Sequence, residues 1–246
     1  MITKLVLLFM LGHVLGDFYF QTDSMAKEKE EKFKGVLKHS LEYFVAILFV
    51  MLPVVSLNMI KAAIMLSSAH FFIDGVKYGL IKLKKIRKSG KIFVYDQILH
   101  IISIFLLAYM MYCGKYEIIP LHIIKNMCMA FGINKVMTVK WILSVLILYR
   151  PSNILIQKLL SGYKPQKDDR LITIDYKVGR MVGGIERLIM FMFIAMDQYA
   201  AMGLVLTAKS IARYDKIAKD EQFAEYYLLG TLLSTACAVL CKLVLL

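Results

Sequence analysis

The chain has 246 residues, is 59% hydrophobic and has a mean hydropathy of +0.63, too apolar for an ordinary soluble domain. Its apolar stretches run continuously for about twenty residues, which excludes the alternating strands of a membrane barrel and points to an all-α, polytopic helical membrane bundle. The net charge of +13 sits mostly between apolar runs. It therefore reads as topology and attraction to anionic headgroups, and no nucleic-acid motif accompanies it.

In chain order the pattern predicts about eight spans: Ile2–Phe20, Val36–Ser56, Asn58–Ile81, Phe93–Cys113, a short fifth at Met137–Tyr149 before Pro151, then Val178–Met196, Gln198–Tyr214 and Gln222–Val244. Lys4 and the apolar run after it fit a signal peptide, but DFYFQTD offers no small-x-small cleavage site, so a retained first helix is expected. Residues 114–136 are irregular and are expected to include an interfacial helix. Residues 152–177 are too polar to cross. Three parts follow: 1–113, a His/Asp-bearing membrane half; 114–177, an irregular segment, the short fifth span and a loop; and 178–246, a three-helix half with Arg, Lys and Glu motifs.

The loops after spans one, three and five carry about 4, 6 and 6 Lys and Arg, against about 1, 3 and 0 after two, four and six. The positive-inside rule then places the first set in the cytoplasm and both termini outside. Gly12/Gly16, Gly75/Gly79 and Gly179/Gly183 each form GxxxG, a spacing that lets helix backbones approach closely in lipid. Of the four cysteines, Cys237 and Cys241 read as buried thiols, and Cys113 and Cys128 could pair only on an oxidising face.

Within the first four spans lie His13, His39, His70 and His100, and three of them have an Asp four residues away: His13/Asp17, His70/Asp74 and Asp96/His100. Four residues is about one helical turn, so each pair shares a face. In the predicted topology every Asp lies nearer the cytoplasm and its His about 6 Å deeper, at about 1.5 Å per residue. An aspartate layer thus meets a histidine layer, with His39 at a similar depth. Charges at membrane depth are costly unless they face the interior and find partners. One such pair is ordinarily a satisfied hydrogen bond. Three on three helices point to a common site, whose N/O donors suit zinc, manganese or iron. The candidate ligands are His13, His70 and His100, with Asp17, Asp74 and Asp96 as ligands or orienters and His39 as a fourth ligand or general base. A proton or ion relay and a purely structural polar network remain the alternatives.

The last three spans carry GRMVGGIERL, TAKSIAR and QFAEYYLLGT. Arg180 and Arg187 share a face, as do Lys209 and Arg213. Such like charges fit together if carboxylates (Glu186, Glu225) or a bound anion lie between them. Snorkelling to headgroups is the plainer account of Arg180 and Arg213.

HVLGDFYFQTDSMAKEK, His39, SAHFFID and DQILH resemble the bacterial multi-pass proteins of domain-of-unknown-function family 3307, and the motifs of the last three spans resemble its longer members. The chain departs from that pattern at Asp197-Gln198, where GQ is typical. The resemblance implies an inner-membrane location and no particular activity. In residue type alone the pattern is also similar to intramembrane metal-dependent hydrolases. The leading expectation is a metal-dependent membrane hydrolase with a cytoplasm-facing site, acting on a lipid-linked or phosphate-bearing substrate held by Arg180, Arg187, Lys209, Arg213, Glu186 and Glu225. An ion-coupled transporter and a non-catalytic scaffold are the other two classes. The lipid bilayer and an anionic substrate are the expected partners, with no nucleic acid.

Overall fold

The computed structural model describes residues 1–84, 89–163 and 169–246, with backbone alone for Glu30 and residues 169–178. The basic residues of 85–88 and 164–168 lie outside the described residues. The described chain is helical, with no strand. It divides into two compact units, Met1–Leu143 and Ser144–Leu246.

In the first unit, α1 (Ile2–Val14) continues as a π-helical segment, Leu15–Phe20, so that one span runs from Ile2 to Phe20. Thr22 caps the short α2 (Asp23–Glu31) by accepting from the Met25 amide at 3.3 Å. Next come α3 (Phe33–Met51), ending in a 3-10 turn that contains Pro53, α4 (Leu57–Lys82) capped by Ser56, and α5 (Gly90–Cys113) capped by Ser89. The irregular segment contains α6 (His122–Ala130), which buries no residue and is tethered by Leu121 donating to the Pro53 carbonyl. Helices α1, α3, α4 and α5 form a closed ring, each packed on the next, and α2 lies on α3 and α4.

These helices are apolar inside and out. On α3, Tyr43, Ile47 and Val50 are buried, whereas Leu41, Val45 and Phe49 form an exposed stripe at helical spacing. A helix hydrophobic all round belongs in a core or a membrane. Among the described residues six helical segments are long and apolar enough to cross one: Ile2–Phe20, Phe33–Val54, Leu57–Lys82, Gly90–Cys113, Lys135–Gly162 and Glu221–Leu245. The expected seventh span is α9 (Tyr199–Ile211), apolar but 13 residues long. At 1.5 Å per residue that is about 20 Å, short of a hydrocarbon core of about 30 Å. The expected sixth span lies within α8 (Asp169–Ala195).

Pro151 does not end the fifth span. Helix α7 (Lys135–Leu159) runs through it. A proline lacks the amide that would bond the carbonyl four residues back. Here the Ser152 hydroxyl donates to that Ile147 carbonyl at 2.9 Å, and the Arg187 Nε of α8 donates to the Leu148 carbonyl at 2.8 Å. Neighbouring side chains thus satisfy backbone that the proline leaves short, as membrane helices require. The second unit is completed by α10 (Tyr214–Lys219) and α11 (Glu221–Leu245), with α11 packed on α8. All four cysteines are free.

The three glycine pairs divide by environment. A Cβ on Gly12 would come within 2.5 Å of Ile47 Cδ1, and one on Gly16 within 2.7 Å of Tyr43 Cδ2, so this pair does bring α1 against α3. Gly75 and Gly79 have no described neighbour within 4 Å, so the close approach expected there is not made among the described residues. The tightest glycine was not singled out by its sequence. A Cβ on Gly35 would lie 2.5–2.6 Å from the Glu28 carbonyl group and the Lys29 amide, which are backbone and cannot rotate away. Gly35→Ala should push α2 off α3 and destabilise the protein by about 1–3 kcal/mol. Gly75→Ala should raise the thermal midpoint in detergent by about 2–4 °C, since it meets open space and gains about 1 kcal/mol of helix propensity.

Candidate metal centre

All seven residues expected at the first-half site lie in one cluster inside the ring of α1, α3, α4 and α5. His13, Asp17, His39, His70, Asp74, Asp96 and His100 are each at most 8% exposed. The His and Asp layers interlock. Asp17 Oδ1 accepts from His70 Nε2 at 2.8 Å and from His39 Nε2 at 3.0 Å, while its Oδ2 accepts from Gln97 Nε2 at 3.2 Å. Gln97 Oε1 in turn lies 3.3 Å from His13 Nε2. The His70 ring stacks between Tyr43, with centroids 3.8 Å apart, and His100, at 4.2 Å. The π-helical segment carries Asp17, and the extra residue in such a turn changes the direction of the side chains around it.

Asp74 and Asp96 are partnered differently. Lys29 Nζ, reaching in from α2, donates to Asp74 Oδ2 at 2.9 Å, and Lys77 Nζ donates to Asp96 Oδ2 at 2.8 Å. Each carboxylate therefore has one oxygen held by an ammonium. The other oxygens, Asp74 Oδ1 and Asp96 Oδ1, have no hydrogen-bond partner, nor does His100 Nε2, which lies 3.8 Å from both. Burial works against the charge of Lys29, but the carboxylates of Asp74 and Asp17 outweigh it and hold the ammonium above the ordinary lysine value.

Three groups of ligand atoms lie within 4.8 Å of one another and could hold an ion: His13, Asp17 and His70; His39, His70 and Asp74; and Asp74, Asp96 and His100. Their hydrogen bonds distinguish them. In the first, both Asp17 oxygens are engaged, as are His13 Nε2 and His70 Nε2. In the third, the three converging atoms are unpartnered. Ligands about 2.1 Å from a tetrahedral ion lie about 3.4 Å apart, close to the 3.8 Å seen here. Three carboxylates against two ammoniums leave one negative charge uncompensated when the imidazoles are neutral, and a cation would offset it.

Lys29, Lys77, Gln97 and Tyr43 were not anticipated. Lys77 was legible, because it follows Asp74 by three residues and so shares its face. Lys29 sits in KEKEEK, which reads as loop charge, and nothing local marks it. Of the residues expected to hold an anionic substrate, Arg180, Arg187, Glu186, Lys209 and Arg213 line a cavity of the second unit. Glu225 does not line it and is exposed. Glu186 is paired with Lys209.

A membrane-type helical bundle with a buried His, Asp and Lys cluster is thus the class the fold and site define. Residues 5–125, just under half of the chain, match the family described as a protein of unknown function (DUF3307). The match takes in every residue of the cluster, whereas residues 126–246, with the motifs of the last three spans, lie outside it. No curated protein and no solved structure matches the chain.

Removing one member of a buried ion pair leaves a stranded charge, at a cost of about 3–5 kcal/mol. Lys29→Met should destabilise the protein on that scale. Lys29→Met with Asp74→Asn should recover at least about half of the loss, read as a double-mutant cycle on detergent-phase unfolding.

Proposed function

We propose that the protein is a metal-dependent hydrolase of the bacterial inner membrane, acting on a lipid-linked or phosphate-bearing substrate. The observation that carries this reading is the grouping of Asp74 Oδ1, Asp96 Oδ1 and His100 Nε2, buried and without hydrogen bonds, with the imidazole nitrogen 3.8 Å from each oxygen. Lys29 and Lys77 hold the opposite oxygens and so orient both carboxylates, as outer-shell partners of metal ligands do. A divalent ion held there would lower the pKa of a bound water and supply a nucleophile at neutral pH.

His39 is the base in this reading. Its Nε2 donates to Asp17, leaving Nδ1 buried and without a partner. A carboxylate that fixes the tautomer and orientation of an imidazole is the usual support for proton transfer. His13, Gln97 and His70 keep Asp17 in place. The exposed apolar stripes of the bundle support a substrate that arrives through the bilayer. The loop charges, with α2 following the first span, support a site near the cytoplasmic face and termini outside.

A relay through the membrane is disfavoured by the packing beyond the cluster. Leu5, Phe9, Met59, Ala62, Ala63, Leu66, Ile104, Leu107, Ala108 and Met111 form a continuous apolar core there. None of these ten side chains can relay a proton.

Wild-type protein purified without chelators should carry close to one transition-metal ion per chain by elemental analysis. His100→Gln and Asp96→Asn should each lose most of it. His39→Ala should keep the metal and lower phosphate release from lipid-linked pyrophosphate or phosphomonoester substrates by about 10²–10⁴-fold. A folded wild type that takes up no metal would overturn the proposal.

A further inference from the structure

The second unit contains a cavity of about 1510 Å³ whose lining is of two kinds. Ile156, Leu160, Val182, Ile211 and Phe223 supply apolar surface. Arg180, Arg187, Lys209, Arg213 and Lys216 supply five basic groups against three acidic ones, Glu186, Asp215 and Asp220. This volume exceeds the roughly 300–1,000 Å³ of ordinary small-molecule pockets.

Arg187 is the unusual member. It is 2% exposed, and among the described residues its guanidinium hydrogen-bonds neutral acceptors: the Leu148 carbonyl, Ser234 Oγ and Asn153 Oδ1. A guanidinium has five N–H donors and stays charged, so these three bonds leave two donors and the full positive charge in a buried place. The one carboxylate beside it in sequence, Glu186, is paired with Lys209.

Gly179 and Gly183 also line this cavity. They form the GxxxG spacing of α8, yet among the described residues no helix packs closely on them. Gly179 has no described neighbour within 4 Å, and the only atom near a Cβ on Gly183 would be Arg187 Nη1, at 3.5 Å. Arg187 thus borders the cavity just behind Gly183, and no side chain at 183 stands between the guanidinium and that space.

We propose that the second unit binds an anionic amphiphile, with its phosphate held by Arg187, Arg180 and Arg213 and its chain lying on the apolar lining. Arginine forks match phosphate oxygens in pairs. A phosphate would supply the counter-charge that Arg187 lacks, and the apolar walls would have no use for a free ion. The proposal concerns this unit alone and does not rest on the metal reading.

The test titrates full-length protein in neutral detergent, with chelator present, with dioleoyl phosphatidic acid and counts bound lipid by native mass spectrometry. One saturable site is expected. Gly183→Leu, which fills the approach to Arg187, and the pair Arg180→Gln with Arg213→Gln should each weaken it at least ten-fold while thermal midpoints stay near wild type. Lys38→Gln, at an exposed lysine of the first unit, should leave it unchanged. Phosphatidylcholine with the same chains should not compete. Equal binding by both cavity variants, or equal binding of phosphatidylcholine, would overturn the proposal. So would inorganic phosphate saturating the site as tightly as the lipid, since the ligand would then be the free ion.

Discussion

Three carboxylates lie inside an apolar helical ring, and the arrangement of the first unit follows from satisfying them. Buried charges in an apolar bundle are costly unless they are partnered, so the carboxylate oxygens draw donors from neighbouring helices. Asp17 finds all of its donors: two imidazoles and an amide, from three different helices. Asp74 and Asp96 find one each, a lysine in both cases. The difference between a completed carboxylate and two half-completed ones separates the part of the cluster that holds the bundle together from the part that can take a ligand.

The surrounding structure serves this division. Gly12 and Gly16 let α3 approach α1 closely enough for His39 to reach Asp17, and Gly35 lets α2 sit close enough for Lys29 to reach Asp74. The second unit solves a related problem with the opposite sign. There Pro151 strips a donor from α7, and Arg187 and Ser152 satisfy the carbonyls nearby, which buries a cation whose described hydrogen-bond acceptors are all neutral. With its imidazoles neutral the first unit's cluster has one more carboxylate than ammoniums, and in the second unit Arg187 bonds only neutral acceptors among the described residues; both settings favour a bound partner of opposite charge.

Much of this was legible before any coordinates. Continuous apolar runs specify membrane helices because a bilayer imposes a length. A spacing of four residues specifies a shared face because a helix has a fixed pitch. Those two rules were enough to bring together His13, His39, His70, His100, Asp17, Asp74 and Asp96. The same rules misled at Pro151, where local propensity points to a helix end and a serine hydroxyl carries the helix on. They also misled at Gly75 and Gly79, where the spacing is right and no described helix lies opposite.

By itself the sequence determined the class of the protein, the positions of six apolar spans and the membership of the buried cluster, all consequences of periodicity along single helices. Only the tertiary structure decided which oxygen of each aspartate is taken, that Lys29 from a charged connector takes one of them, and that Arg187 of α8 reaches the Leu148 carbonyl of α7. Those outcomes depend on which side chain crosses from one helix to the next, and a residue's position along its own helix specifies its face but not what stands opposite.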